Sequence, residues 1–456
     1  MKKITLSKGL DLLLAGAPEQ KIDPVIKQVK HVAVTGPDYV GMKPSILVEV
    51  GDQVLAGQAL FEDKKNPGVV FTAPGAGTVK EIHRGDKRSF RSIRLELNDG
   101  VDAFKSIAFD ACDPSELENL CPNMVREQLI RSGLWTTLRT RPFSRIPKVD
   151  SVPSSLFVNA MDTNPHAPNP EIVISEREDD FVNGLKVLSR ICGKKIWLCK
   201  SSKSKIPGAD AAKTEVAVFD GPHPAGLAGT HIHYLDPVGS GKTVWTIGYQ
   251  DVIAIGELFV RGSYPVERII ALSGPMVERP RLIRTHVGAC LFELTKNELK
   301  SGNCRIISGS VLCGRKVEEN GLCCLGPYVN QVSVIGDGDP RELFGWALPA
   351  FRKFSIARTV ASWYLPKWPF KMNTAVHGGK RAIFPNTMLE DVMPIDILPV
   401  QLFRAIENGD IDNSEKLGIL ELDEEDVALC TLIDLGKNDY TESLRTMLNT
   451  IMKEEE

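Results

Sequence analysis

The sequence predicts a multidomain α+β protein. The chain has 456 residues, which is about three times the length of an ordinary single domain. Its periodicity changes along the chain from short alternating strands to alternating helices and strands, then back to short strands, and finally to helices. Hydrophobic residues make up 43% and charged residues 25% of the chain. That balance is typical of a globular protein with packed cores.

The first part of the chain is predicted to be rich in β-strands. Residues 45–61, SILVEVGDQVLAGQALF, and residues 69–90 each read as strand, turn and strand with a period of two. Two such hairpins, related by approximate internal symmetry, resemble the barrel-sandwich hybrid of lipoyl and biotinyl domains. A carrier lysine is not expected, because Lys64 and Lys65 follow Gln58 too closely for the usual hairpin tip. We therefore expect a scaffold or docking barrel.

The middle of the chain alternates helices with buried strands. ELENLCPNMVREQLIRSGLW and DDFVNGLKVLSRICG have helical spacing, whereas SLFVNAM, KIWLCK, EVAVFD and VWTIGYQDVIAI read as short β-branched strands. This alternation indicates an α/β layer of the doubly wound type. From residue 256 onwards short strands return, with one small helix at FELTKNELKSG, a mixture that suits a β-grasp module.

The last part of the chain is predicted to contain a linker and a helical domain. A stretch rich in Pro and Trp beyond residue 340 is expected to be an extended, packed linker, because its prolines prevent long regular elements. Three helical patterns follow, DILPVQLFRAIENGD, NSEKLGILELDEEDVALCTLIDLG and YTESLRTMLNTIMKEEE, with polar caps and Gly stops. The predicted boundaries of the four parts are 1–110, 111–255, 256–338 and 339–456.

Composition and charge exclude several classes of function. The formal net charge is -3, so a concentrated basic surface for nucleic acid is not expected. Glu257 interrupts the most apolar run, DVIAIGELFV, and nothing approaches the ~20 apolar residues that cross a bilayer, so membrane association should be peripheral. The 10 cysteines include no C-x-x-C pair and only one vicinal pair, Cys323 and Cys324. This usage favours a reducing cytoplasm over a disulfide scaffold.

Two glycine-rich segments invite a functional interpretation. VGSGKT at 238–243 matches the end of a phosphate-binding Walker loop, but Asp236 stands where the first glycine is required and VWTIGY reads as a strand. We interpret it as a turn between strands. In GPHPAGLAGTHIHYLDP, His231 and His233 would share one face of a strand, as metal ligation or proton delivery requires. The alternative is that these imidazoles bond to neighbouring backbone. With Asp236 as the only nearby acid, we predict no metal site.

Seven motifs in a fixed order carry a family resemblance. They extend from residue 9 to residue 430 and are GLDL with AGAP, VGMKP with FEDKKNPGVVF, GLWTTLRTRPF, VNAMDTNPHAP, GPHPAGLAGTHIH, SGPMVERPRLIRTHVGA and LGILELDEEDVALC. Together they are similar to the A subunits of Na+-translocating NADH:quinone oxidoreductases. The resemblance implies a barrel-sandwich hybrid, a Rossmann-like α/β domain, a soluble-ligand-binding β-grasp module and a helical end.

The same resemblance implies a place in a membrane complex. It implies a peripheral subunit on the cytoplasmic side of the bacterial inner membrane, in a complex that reduces ubiquinone with NADH and exports Na+. The expected partners are the B to F subunits, especially the integral membrane B subunit. The isolated chain is not expected to be catalytic, and we assign no catalytic residue. The alternative function is a soluble flavin- or nucleotide-dependent oxidoreductase.

More remotely, the chain resembles the NADH-binding flavoprotein of complex I and the C subunit of Rnf-type electron transport. Their glycine-rich flavin loop, GLRGRGGAGFP, corresponds here to SGLWTTLRTRPFSRIP, in which Gly133 alone remains before the loop. Their acidic strand end, NADEGEP, corresponds to NAMDTNP, which keeps the single acid Asp162. Where they carry a cysteine run for a cluster, this chain has Cys430 alone. The resemblance implies that FMN and iron–sulfur centres belong to partner subunits and that this chain binds no cofactor covalently.

Ubiquinone is the ligand that the resemblance leaves open for this chain. A quinone needs an apolar slot and a hydrogen-bond donor for each carbonyl. The candidate pocket residues are Trp135, Arg139, Arg141, Phe143, His223, His231 and His233. Packing between domains is the alternative role for the same side chains.

Overall fold

The computed structural model describes residues 2–338, 354–355, 364 and 368–455. Four sheets lie in its first three quarters, and a group of helices follows. Most of the linker predicted beyond residue 340 lies outside the described residues, so its conformation stays a prediction. Within the described part, no helix combines the length and the apolar character needed to span a bilayer.

Residues 31–97 form two small antiparallel sheets, as the hairpin patterns predict. One has the strand order β3-β9-β8-β5 and the other β4-β6-β7. The stacked rings of Phe61 and Phe71, whose centroids are 4.4 Å apart, pack in the buried core together with Val32 and Leu95. The strands are β3 (His31–Thr35), β4 (Pro44–Ile46), β5 (Gln53–Val54), β6 (Ala59–Asp63), β7 (Val70–Thr72), β8 (Gly77–Arg84) and β9 (Phe90–Leu97).

The α/β part has a six-stranded sheet with the order β1-β13-β12-β11-β14-β10. All neighbouring pairs are parallel except β10 with β14. The strands are β1 (Lys2–Thr5), β10 (Arg139–Arg141), β11 (Leu156–Asn159), β12 (Ile196–Ser201), β13 (Thr214–Asp220) and β14 (Val244–Gly248). The helices are α1 (Pro122–Arg131), α2 (Pro170–Ser175), α3 (Glu178–Ile191), α4 (Ala228–Leu235) and α5 (Tyr249–Arg261).

Helix α5 corrects one sequence prediction. The run VWTIGYQDVIAI, predicted to be a strand, is a strand only up to Gly248 and continues as α5 through the predicted boundary at residue 255. The helix has nine buried residues out of 13, and its less buried residues, Ala254, Glu257 and Arg261, follow one face at helical spacing. It crosses α3 closely, since a Cβ on Gly256 would lie 1.8 Å from the carbonyl oxygen of Asp180.

The third part has a mixed six-stranded sheet with the order β18-β17-β19-β15-β16-β2. Its strands are β2 (Glu19–Ile26), β15 (Glu267–Ser273), β16 (Arg281–His286), β17 (Cys304–Ser308), β18 (Arg315–Lys316) and β19 (Gln331–Gly336), and its helix is α6 (Leu291–Leu294). Strands β1 and β2 precede the small sheets in sequence, yet they pair with β13 and β16 of the two later sheets. The first 26 residues therefore tie three parts of the chain together.

The C-terminal helices form a domain with its own core, as predicted. They are α7 (Met388–Val392), α8 (Pro399–Glu407), α9 (Ile411–Lys416), α10 (Glu424–Ile433) and α11 (Tyr440–Glu455). Stacked Phe403 and Tyr440, with ring centroids 4.0 Å apart, lie in the core with Leu444. A capping box between Asp423 and Asp426 begins α10, so this acidic run stabilises the first turn of the helix.

Candidate functional site

A cleft lies at the carboxyl ends of the parallel strands β11 and β14. Helices α4 and α5 begin at its edge, the loops of the third sheet close one side, and Glu425 of α10 reaches it from the helical domain. The cleft contains about 880 Å³ of space, part of it open to solvent. Ligands of doubly wound α/β sheets bind at this edge, so the cleft is the candidate site.

Three polar side chains of the cleft keep buried atoms without a partner. Within the described residues, the hydroxyl of Tyr249, Nε of Arg268 and Oδ1 of Asn159 make no hydrogen bond. All three residues line the cleft, and Tyr249 is only 2% exposed. Burying a polar group without a partner costs about 1–3 kcal/mol, so these atoms favour a ligand that supplies donors and acceptors.

Two arginines, Arg139 and Arg268, line the cleft together with the carboxylates of Asp162, Asp251 and Glu425. The guanidinium of Arg139 lies 4.6 Å from the ring centroid of Tyr328, a cation–π contact that fixes its position. Arg268 is buried and donates to Oδ1 of Asp251 at 2.6 Å and to the carbonyl of Pro327 at 3.0 Å. These contacts hold both side chains in place beside the unpartnered atoms.

Apolar side chains complete the wall between these polar groups. Met161, Leu227, Ile247 and Val329 all line the cleft, and Leu227 and Ile247 are buried. A cleft with apolar walls and a few fixed polar groups suits a small amphiphilic molecule better than a strongly charged one.

Asp162 is a partly exposed acid in the wall of the cleft. Burial raises its pKa from 3.8 to about 6, although hydrogen bonds from Asn164 act in the opposite direction. Between pH 4 and 6 the folded chain therefore keeps a proton that the unfolded chain has lost. Stability should fall as pH rises through this window.

We expect Asp162→Asn to stabilise the folded chain at pH 7 by roughly 1–3 kcal/mol. Asparagine keeps the Oδ1 acceptor used by Asn164 and carries no charge to bury. The gain should shrink as pH falls from 7 to 4, because Asp162 then keeps its proton in the folded chain and the unfolded chain gains little by ionising it. Urea unfolding at pH 7 and pH 4 measures the difference, with exposed Asp99→Asn as the control. An equal effect at both pH values would contradict the raised pKa.

Of the seven predicted pocket residues, Arg139 lines the cleft. Trp135 is 0% exposed and lies in the core, where its Nε1 donates to the carbonyl of Pro147 at 2.9 Å. Phe143 packs against the core of the helical domain. Its carbonyl accepts a hydrogen bond of 2.9 Å from Arg445. These contacts give Trp135 and Phe143 packing roles within and between domains.

Arg141 joins the α/β sheet to the helical domain. Its side chain is 1% exposed and forms ion pairs of 3.0–3.1 Å with Asp423, Glu425 and Asp426. Burial by itself would lower its pKa, but the three carboxylates reverse this effect and raise the pKa above its ordinary value. Arg141 is therefore the centre of a buried charge network between two domains.

The histidines occupy a helix and the loop before it. His231 and His233 lie in α4, so the expected strand is wrong, and two residues apart on a helix their rings point about 200° from each other. His231 bonds to the carbonyl of Ala225 at 2.9 Å, and His233 bonds to Glu421 at 2.7 Å. His223 bonds to Thr163 Oγ1 at 3.2 Å. Each ring thus has a partner in the surrounding structure.

Burial lowers the pKa of His223 and of His231 to about 4. Both imidazoles are therefore neutral at pH 7. Asp236 does not approach them and instead pairs with Lys242 at 2.5 Å and with Ser155 at 2.6 Å. For His231 the arrangement favours the alternative role, in which the ring fixes the glycine-rich loop, whereas His233 connects α4 to Glu421 of the helical domain.

The VGSGKT segment is a turn followed by strand β14, so the prediction that no phosphate-binding helix follows it is confirmed. The element before it is α4 rather than a strand. Here Lys242 also bonds to the carbonyl of Pro237 at 2.8 Å. These contacts close the turn on itself.

The sequence interpretation missed Tyr249, Arg268 and Asn159. Tyr249 was placed in a strand, whereas it is the first residue of α5. Asn159 is the last residue of β11, and a polar residue at the carboxyl end of a parallel strand is the signal that could have identified it. Arg268 lies near the start of β15, and nothing in its local sequence marks it.

Comparison with known proteins identifies families for three parts of the chain. Residues 4–98 match the family described as the NqrA N-terminal barrel-sandwich hybrid domain. Residues 120–264 match the NqrA second alpha/beta domain, and residues 269–319 match the NQRA C-terminal domain. The predicted barrel-sandwich hybrid is thereby confirmed, and the chain is a multidomain protein with mixed sheets.

Curated relatives match over nearly the full length. The A subunit of the Na(+)-translocating NADH-quinone reductase from Histophilus somni strain 2336 is 52% identical over 451 residues, covering 99% of this chain and 100% of that protein. The A subunits of the same name from Haemophilus influenzae Rd and from Neisseria meningitidis serogroup A are 50% and 51% identical, with the same coverage.

A weaker likeness is to a solved structure. A crystal structure of a NAD+-reducing NiFe hydrogenase in the air-oxidized state aligns with 13% sequence identity and a TM-score of 0.33, covering 52% of this chain and 53% of that one. Because the curated relatives share half of their residues over the whole length, the chain belongs to the family of Na(+)-translocating NADH-quinone reductase A subunits.

Proposed function

We propose that the chain is the peripheral A subunit of a complex that oxidises NADH, reduces ubiquinone and exports Na+. The full-length kinship to proteins of that name carries the proposal. The complex, rather than the isolated chain, is catalytic. The chain lies on the cytoplasmic side of the bacterial inner membrane and contacts the B to F subunits. Within the chain, the α/β part is Rossmann-like, and the third part is a β-grasp module of the soluble-ligand-binding type.

The test uses membranes of the source bacterium from which this chain has been deleted. Such membranes should lose Na+-stimulated quinone reduction by NADH, and the purified full chain should restore it. Undiminished activity in the deleted membranes would contradict the proposal. Cytoplasmic placement is checked by adding protease to inverted vesicles, which should digest the chain, and to sealed right-side-out vesicles, which should not.

Docking on the integral membrane B subunit is supported by exposed apolar residues near the start of the helical domain. Tyr364 is 71% exposed and Val376 is 60% exposed. Contact with another protein chain would remove such apolar side chains from water. Cross-linking of the restored complex, followed by digestion, should yield links between residues 364–384 and the B subunit.

We infer that the cleft binds the quinone head group. A quinone carbonyl is an acceptor, and the Tyr249 hydroxyl and Arg268 Nε are buried donors without a partner among the described residues. Arg139 adds a further donor group, and the apolar wall offers a surface for the quinone ring. We therefore propose the quinone pocket at these residues rather than at Trp135 and the histidines.

Tyr249→Phe should weaken binding of a short-chain ubiquinone to the isolated chain about 3–10-fold, because one hydrogen bond contributes about 0.5–1.5 kcal/mol. Calorimetric titration measures the affinity. The matched control is Tyr440→Phe, since the Tyr440 hydroxyl is also buried without a partner among the described residues but lies in the helical domain. Equal affinity for both variants and the unaltered chain would place the quinone elsewhere.

A soluble flavin- or nucleotide-dependent oxidoreductase is the second candidate function. In this chain, the segment that corresponds to the flavin-phosphate loop argues against that function. The segment that resembles the flavin-phosphate loop is a short 3-10 helix, Leu134–Thr137, in which Leu134, Trp135 and Thr136 are buried. Side chains thus occupy the region where a glycine-rich loop would present its backbone N–H groups. The resident flavins and iron–sulfur centres belong to the partner subunits in this proposal.

A further inference from the structure

Three buried thiols lie together at the boundary between the third sheet and the small barrel sheets. The Sγ atoms of Cys290, Cys323 and Cys324 all lie within 4.8 Å of one another, and the residues are 6%, 4% and 0% exposed. The three cysteines are not joined by disulfides. In the sequence only Cys323 and Cys324 are adjacent, and Cys290 comes next to them only when the chain folds.

The backbone holds the three cysteines in position. Cys290 and Cys324 form an antiparallel bridge, and the N–H of Leu291 donates to the carbonyl of Cys323 at 2.8 Å. Arg315 donates to the carbonyl of Cys324 at 3.2 Å. A ligand set whose backbone is already fixed loses little entropy when it binds an ion.

A half-buried guanidinium group lies near the cluster. The positive charge of Arg94 acts on Cys323 and favours negative charge on its sulfur atom. Nε of Arg94 is buried and has no partner among the described residues. This positive charge partly compensates the negative charge that three thiolates carry around a single monovalent cation.

We propose that Cys290, Cys323 and Cys324 form a three-thiolate binding site for Cu+. Soft thiolates select Cu+ and Zn2+, but structural Zn2+ takes four ligands. No fourth His, Cys, Asp or Glu ligand atom joins the group among residues that the structure describes, and burial limits access of water. On binding, three Cu–S bonds form, the protons that the three sulfur atoms carry pass to the solvent, and no oxidation state changes.

The ion would connect the segment after β16 to the segment before β19 beside the barrel sheets. The N–H of Cys290 donates to the carbonyl of His31 in β3 at 3.0 Å, and Ser92 of β9 donates to the carbonyl of Gly321 at 2.6 Å. A ligand that binds only the folded chain stabilises it. Bound Cu+ should therefore raise the melting temperature of the full chain.

The test titrates the reduced full-length chain with Cu+ under anaerobic conditions, in competition with the coloured chelator bicinchoninate. We expect one Cu+ per chain. Cys290→Ser, Cys323→Ser and Cys324→Ser should each weaken binding more than about 100-fold, beyond the loss seen when outer partners of a metal ligand are removed. The matched control is the double variant Cys121→Ser and Cys313→Ser, which removes two exposed thiols and should keep full affinity.

X-ray absorption of the copper-loaded unaltered chain decides the coordination without any variant. Three sulfur neighbours support the proposal, and this readout stands even where a serine variant fails to fold. Copper bound by nitrogen or oxygen, retention of copper in the three serine variants, or no binding at all would overturn it. A Zn2+ ion that occupies the site and is not displaced by one equivalent of Cu+ would overturn the choice of metal.

Discussion

Replacing Arg141 by alanine should lower the stability of the helical domain by about 3–5 kcal/mol, the usual cost of removing one partner from a buried ion pair. The substitution leaves Asp423 and Asp426, which are 3% and 4% exposed, without their main counter-charge. Arg445 still reaches Asp423, so part of the network survives. The chain has several domains, and the relevant quantity is the urea transition that unfolds the helical domain.

The matched control is Arg261→Ala, because the Arg261 side chain is 53% exposed and pairs with Glu257 and Asp180 near the surface. Its loss should cost less than about 1 kcal/mol. Limited proteolysis gives an independent readout, since Arg141→Ala should accelerate cleavage between the α/β part and the helical domain. If both variants unfold at the same urea concentration, the buried charge network contributes no more to the free energy of unfolding than a surface ion pair does.

Trp135→Ala should reduce the free energy of unfolding of the α/β part by about 3–5 kcal/mol, as expected for a large aromatic side chain removed from a core. Trp135 packs edge to face against Trp245 with ring centroids 5.5 Å apart. Its indole N–H donates to Pro147, so the substitution also leaves that carbonyl unpaired. Thermal and urea unfolding monitored by circular dichroism measure the loss.

Trp135→Phe separates packing from ligand binding. Phenylalanine keeps much of the buried ring and loses the hydrogen bond to Pro147, so its destabilisation should be smaller, about 1–2 kcal/mol. Quinone affinity should be unchanged in this variant, because Trp135 does not line the cleft. A variant that folds with full stability but no longer binds quinone would assign Trp135 to the pocket after all.

Local sequence patterns predicted the strands and helices that have one buried face or a polar cap at one end. The period-two alternation at residues 45–61 and 69–90 indicated the small sheets, and the helical patterns with their polar caps indicated the C-terminal helices. Helix α5 is misassigned, because its Val and Ile residues continue the β-branched run of strand β14 and such residues favour strands. The helical spacing of its less buried residues, Ala254, Glu257 and Arg261, is the signal that distinguishes it from a strand.

The cleft was less predictable than the fold. Asn159, Tyr249 and Arg268 come from β11, α5 and β15, so their proximity depends on sheet order and on the packing of the third sheet. Histidine and tryptophan side chains can bind a quinone, but the sequence does not show which partners they have in the folded chain. In the folded chain, Nε2 of His231 bonds to the carbonyl of Ala225, and the indole N–H of Trp135 donates to the carbonyl of Pro147. The chemical type of a side chain does not show which groups it contacts after folding.

The pairing of β1 with β13 has a consequence for how the protein is made. Lys2 lies opposite Ala217, and Thr5 lies opposite Asp220, so the earliest strand pairs with one that is translated some two hundred residues later. At about 5–20 residues per second, a ribosome needs roughly 10–40 s to cover that distance. Throughout that interval the nascent strand lacks its β13 partner. The interval between the synthesis of β2 and of its partner β16 is longer still. The strands β3 to β9 form their sheets with one another, so the small barrel sheets can fold first.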